Sequence, residues 1–318
     1  MAGKKYKVAV DLGGTKVLTA LINSDNIIIA KKKMTTTTDG GPRFLMKSIA
    51  NCITMLLEEA EIPEKDVEGI AIGVPGTVNI ETGKVGNAPN LGIKNYSIKT
   101  ALEKHVNIPV YVENDVNLAA LGIRRFEFAN KVNNMLVVFV GTGIGAGFIL
   151  NGQIYRGSTY FAGEIGHIKV DLLNGETKTF EEVASRTAVV DSLKTEMKSG
   201  KSSVLKDIVP LGKKIKSKKI AEAIRLKDDL VIDKMTDACK LIGGVCANIV
   251  TLLNLDTIVF GGGVIEANAR FMLPKIKEAF SENVLNEPGK KVKLIATKLG
   301  DDAPLMGGIT LIEERNIN

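Results

Sequence analysis

The chain has 318 residues, 45% of them apolar and 25% charged, with a net charge of +6. That balance excludes a disordered or fibrous chain and favours two domains, each with its own core. Three cysteines exclude a disulfide framework, and a modest positive charge suits an anionic substrate.

The opening MAGKKYKVAVD enters an apolar run without a signal-peptide core. No apolar stretch of membrane-spanning length stands out. Cys52, Cys239 and Cys246 are far apart or on helical stripes, which suits a reducing compartment, so a cytoplasmic protein is expected. Residues 8–23, VAVDLGGTKVLTALIN, predict two strands joined by a glycine turn, and residues 23–26 turn into a third strand through Ile27, Ile28 and Ile29. The tip offers unshielded backbone N–H groups, the Thr15 hydroxyl and the Asp11 carboxylate. One reading is an ordinary turn stabilised by Asp11 and Thr15. The other is a phosphate cradle whose carboxylate faces Mg²⁺.

Pro42 starts a helix with the stripe Leu45, Ile49, Cys52, Ile53, Leu56 and Leu57, stopped by Ile62 and Pro63. Residues 67–74 read as a strand closed by Pro75 and Gly76, residues 97–106 as a short helix, and residues 110–112 as a strand. That strand runs into ENDVN at 113–117, and a helix follows through Leu118, Leu121, Ile123 and Phe126. Asp115, where strand becomes helix, is either an N-cap or an exposed carboxylate at the carboxyl edge of a sheet. There it could take a proton from an attacking hydroxyl.

Residues 135–157, MLVVFVGTGIGAGFILNGQIYRG, repeat the strand, glycine turn, strand, turn, strand unit. The repeat predicts two similar lobes whose glycine turns grip a polyphosphate from opposite sides. GTGIGA also fits a dinucleotide fingerprint, but a strand rather than a helix follows it, which disfavours a nicotinamide cofactor. A Walker A pattern is absent. In GEIGH, residues 163–167, His167 with Glu164 is either structural or paired to the hydroxyls of a polyol, while His105 ends a polar helix. A helix is expected over 181–197. The basic run at 213–219 reads as a solvated face or loop rather than a nucleic-acid contact. A long helix over 233–253 carries Met235, Cys239, Ile242, Cys246 and Ile249, and a strand at 257–260 meets Gly261, Gly262 and Gly263. That turn is a tight bend or a flat floor for an adenine ring. Helix over 267–280, strand over 292–295 and a helix from Ala303 and Pro304 complete the pattern.

Together DLGGTK, GVPG, NL, END, GTGIGAG, GEIGH, EEVASRTA and FGGGV, in this order over nearly the whole chain, resemble the ROK family of sugar kinases. The resemblance implies an α/β, two-domain actin-like ATPase (ribonuclease H-like) fold of duplicated βββαβα units. The lobes would comprise 1–117 with 301–318, and 118–300. It implies ATP and Mg²⁺, with Asp115 as catalytic base and Asp11 helping to hold Mg²⁺ through water. Gly13, Gly14, Thr15, Lys16, Gly141, Thr142 and Gly143 would hold the ATP phosphates, and Gly262 and Gly263 the adenosine. Gly76, Asn90, Asn114, Glu164, His167 and Glu181 would hold the sugar. The implied reaction is phosphorylation of a hexose, glucose at O6, with an N-acetylhexosamine or fructose kinase as the related alternative. A sugar-responsive regulator without catalysis is the alternative of a different class. Many members follow GEIGH with a cysteine-rich zinc element; here VDLLNGETKTFEE has no cysteine, so no zinc is expected. Repressor members add an N-terminal DNA-binding domain, for which Asp11 leaves no room. Relatives are often homodimers, so a homo-oligomer without nucleic-acid or membrane partners is expected.

Overall fold

The apolar run after Lys5 folds into strand β1 (Tyr6–Leu12), turned through Gly13, Gly14 and Thr15 into β2 (Lys16–Ile22) and then into β3 (Ile28–Thr35). The computed structural model that shows this describes residues 5–171 and 175–317. The opening MAGK and residues 172–174, touched on by the readings above, lie outside them. β1 and β2 are almost wholly buried, whereas β3 alternates exposed and half-buried residues, as an edge strand does. Helix α1 (Gly41–Glu59) has Pro42 in its first turn and buries Leu45, Ile49, Ile53 and Leu56. The chain continues through β4 (Val67–Val74), β5 (Val78–Asn79), β6 (Lys84–Ala88), β7 (Ile93–Ser97), α2 (Ile98–Leu102), β8 (Val110–Asn114) and α3 (Asp115–Phe126).

The second half opens with β9 (Met135–Val140), β10 (Ile144–Leu150) and β11 (Gln153–Tyr155). A small hairpin of β12 (Lys169–Asp171) and β13 (Thr177–Thr179) precedes α4 (Phe180–Ala184), α5 (Arg186–Lys198), α6 (Leu205–Ile208) and α7 (Ser217–Arg225). The long α8 (Asp229–Leu253), β14 (Thr257–Gly261), α9 (Gly263–Asn283), α10 (Asn286–Gly289), β15 (Lys293–Ala296) and α11 (Ala303–Ile317) follow.

Two five-stranded sheets result, ordered β3-β2-β1-β4-β8 and β11-β10-β9-β14-β15. In each, the leading hairpin is antiparallel and the three strands from its first member onward run parallel. The duplicated unit expected from the two glycine turns is therefore present at the level of strand order. Each sheet has its own core, one around Val10, Ile53 and Ile72, the other around Val138, Phe180, Ile242 and Phe260.

Helices α3 and α11 join the two halves. α11 packs against β1 and β4, α3 packs against β9 and β10, and the two helices pack against each other. A third core of Ala71, Leu118, Val137, Val259 and Ile312 draws on both sheets. The helix backbones meet almost directly: a Cβ on Gly307 would lie 1.7 Å from the Leu118 carbonyl oxygen. On the other side a Cβ on Gly122 would lie 2.3 Å from that of Ala303.

Several element readings are corrected. The helix expected over 181–197 is two, because Ser185 takes an extended conformation and caps α5 by accepting the Ala188 N–H. α8 begins at Asp229 rather than 233, since Asp228 caps it, and α9 begins at Gly263 and continues through Pro274. The helix expected over 97–106 is only Ile98–Leu102, and the three-stranded sheet of β5, β6 and β7 was not foreseen. By length and composition alone α8 is apolar enough to cross a bilayer. Its Met235, Cys239, Ile242 and Cys246 are buried in the second core.

Candidate active site

The first glycine turn is braced from β3. The Gly13 N–H donates to the Lys16 carbonyl at 3.0 Å, and the Thr36 hydroxyl and N–H donate to the carbonyls of Gly13 and Thr15 at 2.6 and 3.2 Å. Asn90 packs beside Gly14. The second turn is braced from α4 and α5. The Gly141 N–H donates to the Gly143 carbonyl at 2.9 Å, and the Arg186 N–H donates to the Gly141 carbonyl at 2.9 Å. The Thr187 hydroxyl donates to the Thr142 carbonyl at 2.7 Å, and the Ile144 N–H donates to Glu181 Oε2 at 2.8 Å. Backbone groups that would otherwise be free to rearrange are thus fixed, which is what preorganises a loop for anions.

Both turns open onto one cleft of about 1170 Å³. Gly13, Gly14, Thr15 and Lys16 line one side, Thr142, Gly143 and Glu181 the other, and Asp115 and Asn90 also reach it. Asp11 lies in an adjoining cavity of about 120 Å³ with Asp115, Gly262, Glu266 and Asp301. Of the expected adenosine residues, Gly262 therefore lines the smaller cavity, and Gly263 opens α9. Gly141 sits at the base of its turn.

Asp115 is the first residue of α3, but Asn114 is the cap. The Asn114 side-chain oxygen accepts the N–H groups of Val116 and Asn117 at 2.9 and 3.0 Å, and its Nδ2 donates to the Gly76 carbonyl at 3.1 Å. Gly76 and Asn114, both expected to touch sugar, are thus bonded to each other. Asp115 is left with a carboxylate that accepts one Val116 N–H. Burial pushes Asp115 up to about 6, the Val116 N–H opposes this, and nearby Glu164 adds to it. Burial pushes Asp11 up to about 7, with Asp115 adding to the rise and Lys16 opposing it.

The GEIGH segment is tied to β10: the Ala146 N–H donates to the Gly163 carbonyl at 3.0 Å. Gly163 has φ +100°, and a Cβ there would lie 2.1 Å from the Ala146 carbonyl oxygen, so glycine is required. Glu164 is raised by burial, with His167 opposing and Glu181 adding. His167 Nε2 lies 3.6 Å from Glu164 Oε2, and the imidazole is 73% exposed. It faces solvent rather than the interior. The segment that follows, expected to lack zinc, is held by the Phe180 N–H donating to the Ile168 carbonyl at 2.8 Å and by the hairpin of β12 and β13.

Asp11 and Asp115 share the smaller cavity with Glu266 and Asp301, a set of oxygen donors that would suit a divalent cation. Two desolvated carboxylates with raised pKa values favour either a proton or a hard cation. Mg²⁺ uses one or two protein carboxylates and takes its other ligands from water and phosphate.

Sequence reasoning missed three features. Glu113, 1% exposed, pairs with Arg156 at 2.6 Å. Asp301 pairs with Lys16. Arg186 and Thr187 brace the second turn, inside the quoted EEVASRTA, where a helical pattern masked them.

A sequence profile of the ROK family matches residues 7–315. A glucokinase of Halalkalibacterium halodurans is 30% identical over 317 residues, covering 98% of this chain and 96% of that protein. A xylose repressor of Caldicellulosiruptor bescii is 26% identical over 316 residues, covering 96% of this chain and 77% of the repressor. Among solved structures, a ROK family glucokinase from Streptomyces griseus in complex with glucose and AMPPNP superposes with a TM-score of 0.83 at 27% identity. That match covers 97% of this chain and 99% of the other.

Proposed function

This chain belongs to the ROK family, and from that premise we propose that it is an ATP- and Mg²⁺-dependent hexokinase acting on glucose at O6. The observation that supports this reading is the shared cleft: two braced glycine turns, one from each half, open onto the space that Asp115 reaches. The turns would hold the donor phosphates, with Thr15, Lys16 and Thr142 beside them. Asp115 would accept the proton of the attacking hydroxyl, and its position at the start of α3 aims it into the cleft. Mg²⁺, when bound, would neutralise phosphate charge, and Asp11 would help hold it through water. Gly76, Asn90, Asn114, Glu164, His167 and Glu181 would bind the sugar. The lobes are taken as 1–117 with 301–318, and 118–300.

The test is a screen of hexoses and N-acetylhexosamines with MgATP, following ADP and sugar phosphate. Turnover with glucose supports the reading; turnover confined to an N-acetylhexosamine or fructose moves the substrate within the same class. The repressor relative favours one second reading, a sugar-responsive regulator. Saturable sugar binding with no turnover of any sugar would select it.

A further inference from the structure

Three cations line the large cleft: Lys16, Lys178 and Arg186. Lys16 is paired with Asp301, and Lys178 lies 3.0 Å from Glu176. The carboxylates of the same walls are also engaged. Glu181 accepts the Ile144 N–H, Glu182 accepts from Thr179, Asp191 faces Lys194, and Glu196 is held by Lys201 and Lys234. Arg186 has no ion pair among the described residues.

Its backbone, by contrast, is fixed. Arg186 opens the 13-residue helix α5 and gives its N–H to Gly141, and the next residue holds Thr142. The guanidinium therefore springs from the frame of the second glycine turn, half-buried at the wall of the cleft. An unpaired guanidinium there is matched by an oligophosphate, whose oxygens accept its planar fork of donors in pairs.

We propose that Arg186 binds the phosphate chain of the donor nucleotide, a role outside the glycine turns themselves. This rests on the hexokinase reading above. The test is calorimetric titration of MgAMPPNP into the parent protein, Arg186→Gln and Arg186→Lys, with the melting midpoint of each unliganded protein. The expected result is that Arg186→Gln weakens MgAMPPNP by about 10- to 100-fold, that Arg186→Lys recovers part of the loss, and that the midpoint does not move. A parent that binds MgAMPPNP and an Arg186→Gln protein that binds it equally well would overturn this assignment alone. So would a loss that comes with a fallen midpoint and no recovery in Arg186→Lys, which would mark a structural role. A parent that binds no nucleotide would remove the hexokinase reading and this assignment with it.

Discussion

Glu113 on β8, whose side chain is buried, and half-buried Arg156 beyond β11 form an ion pair between the two halves of the chain, Oε2 to Nε at 2.6 Å. The other carboxylate oxygen accepts the Asn114 N–H at 2.9 Å and the Asn117 amide at 3.1 Å. The pair therefore braces the residues on either side of Asp115.

Arg156→Ala leaves Glu113 charged, buried and without its cation. The expected cost is about 3–5 kcal/mol in urea unfolding. Adding Glu113→Gln removes the stranded charge and should return much of that loss. A double variant as unstable as Arg156→Ala would show that the charge is not the cause.

Catalysis should follow the ionisation of Asp115. A general base works only when deprotonated, and burial pushes Asp115 up to about 6. The turnover rate should therefore climb about tenfold per pH unit below 6 and level off above it. Asp115→Asn should lower the rate by about 10²-fold or more and abolish that limb. An unchanged pH profile in Asp115→Asn would remove Asp115 as the base.

Asp11 should cost stability near neutral pH in metal-free protein. Its folded pKa, about 7, stands above the ordinary 3.8, so the folded state holds the proton more tightly. Its contribution is most favourable below pH 4 and is lost as pH rises towards 7. Asp11→Asn should accordingly melt higher than the parent at pH 7.5 in EDTA, and the gap should close by pH 4. A parent that melts higher at pH 7.5 would contradict this.

Gly307→Ala should destabilise by about 3 kcal/mol, because its Cβ would enter the Leu118 backbone. Gly244→Ala, in α8 with open space around its Cβ, is the control. It should be neutral or stabilise by up to about 1 kcal/mol. Paired urea titrations decide the matter, and equal midpoints for the two variants would refute the close contact.

Features written in short stretches of sequence were legible. Each glycine turn sits between its own strands, so the hairpins could be read locally, and Asp115 follows directly from a strand end. β5, β6 and β7 escaped notice because they are short and carry exposed polar residues, as in Lys84, Asn87 and Lys94. The break at Ser185 was hidden because the residues on both sides favour helix. Arg156 gave no local signal at all, since its meaning comes from Glu113, 43 positions away. Asn114 shows a double use that the motif did not disclose: its amide oxygen caps α3 and one Nδ2 hydrogen goes to Gly76, which leaves the second Nδ2 hydrogen for a ligand.

The docking of α11 onto β1 has a consequence for biosynthesis. Ala9, Ala20 and Ile22 of the first sheet are covered by Leu305 and Ile309. Those two residues leave the ribosome only after the whole second sheet has been translated. The earliest part of the nascent chain thus waits with one apolar face bare, open to a chaperone or to misassembly, until α11 arrives to cover it.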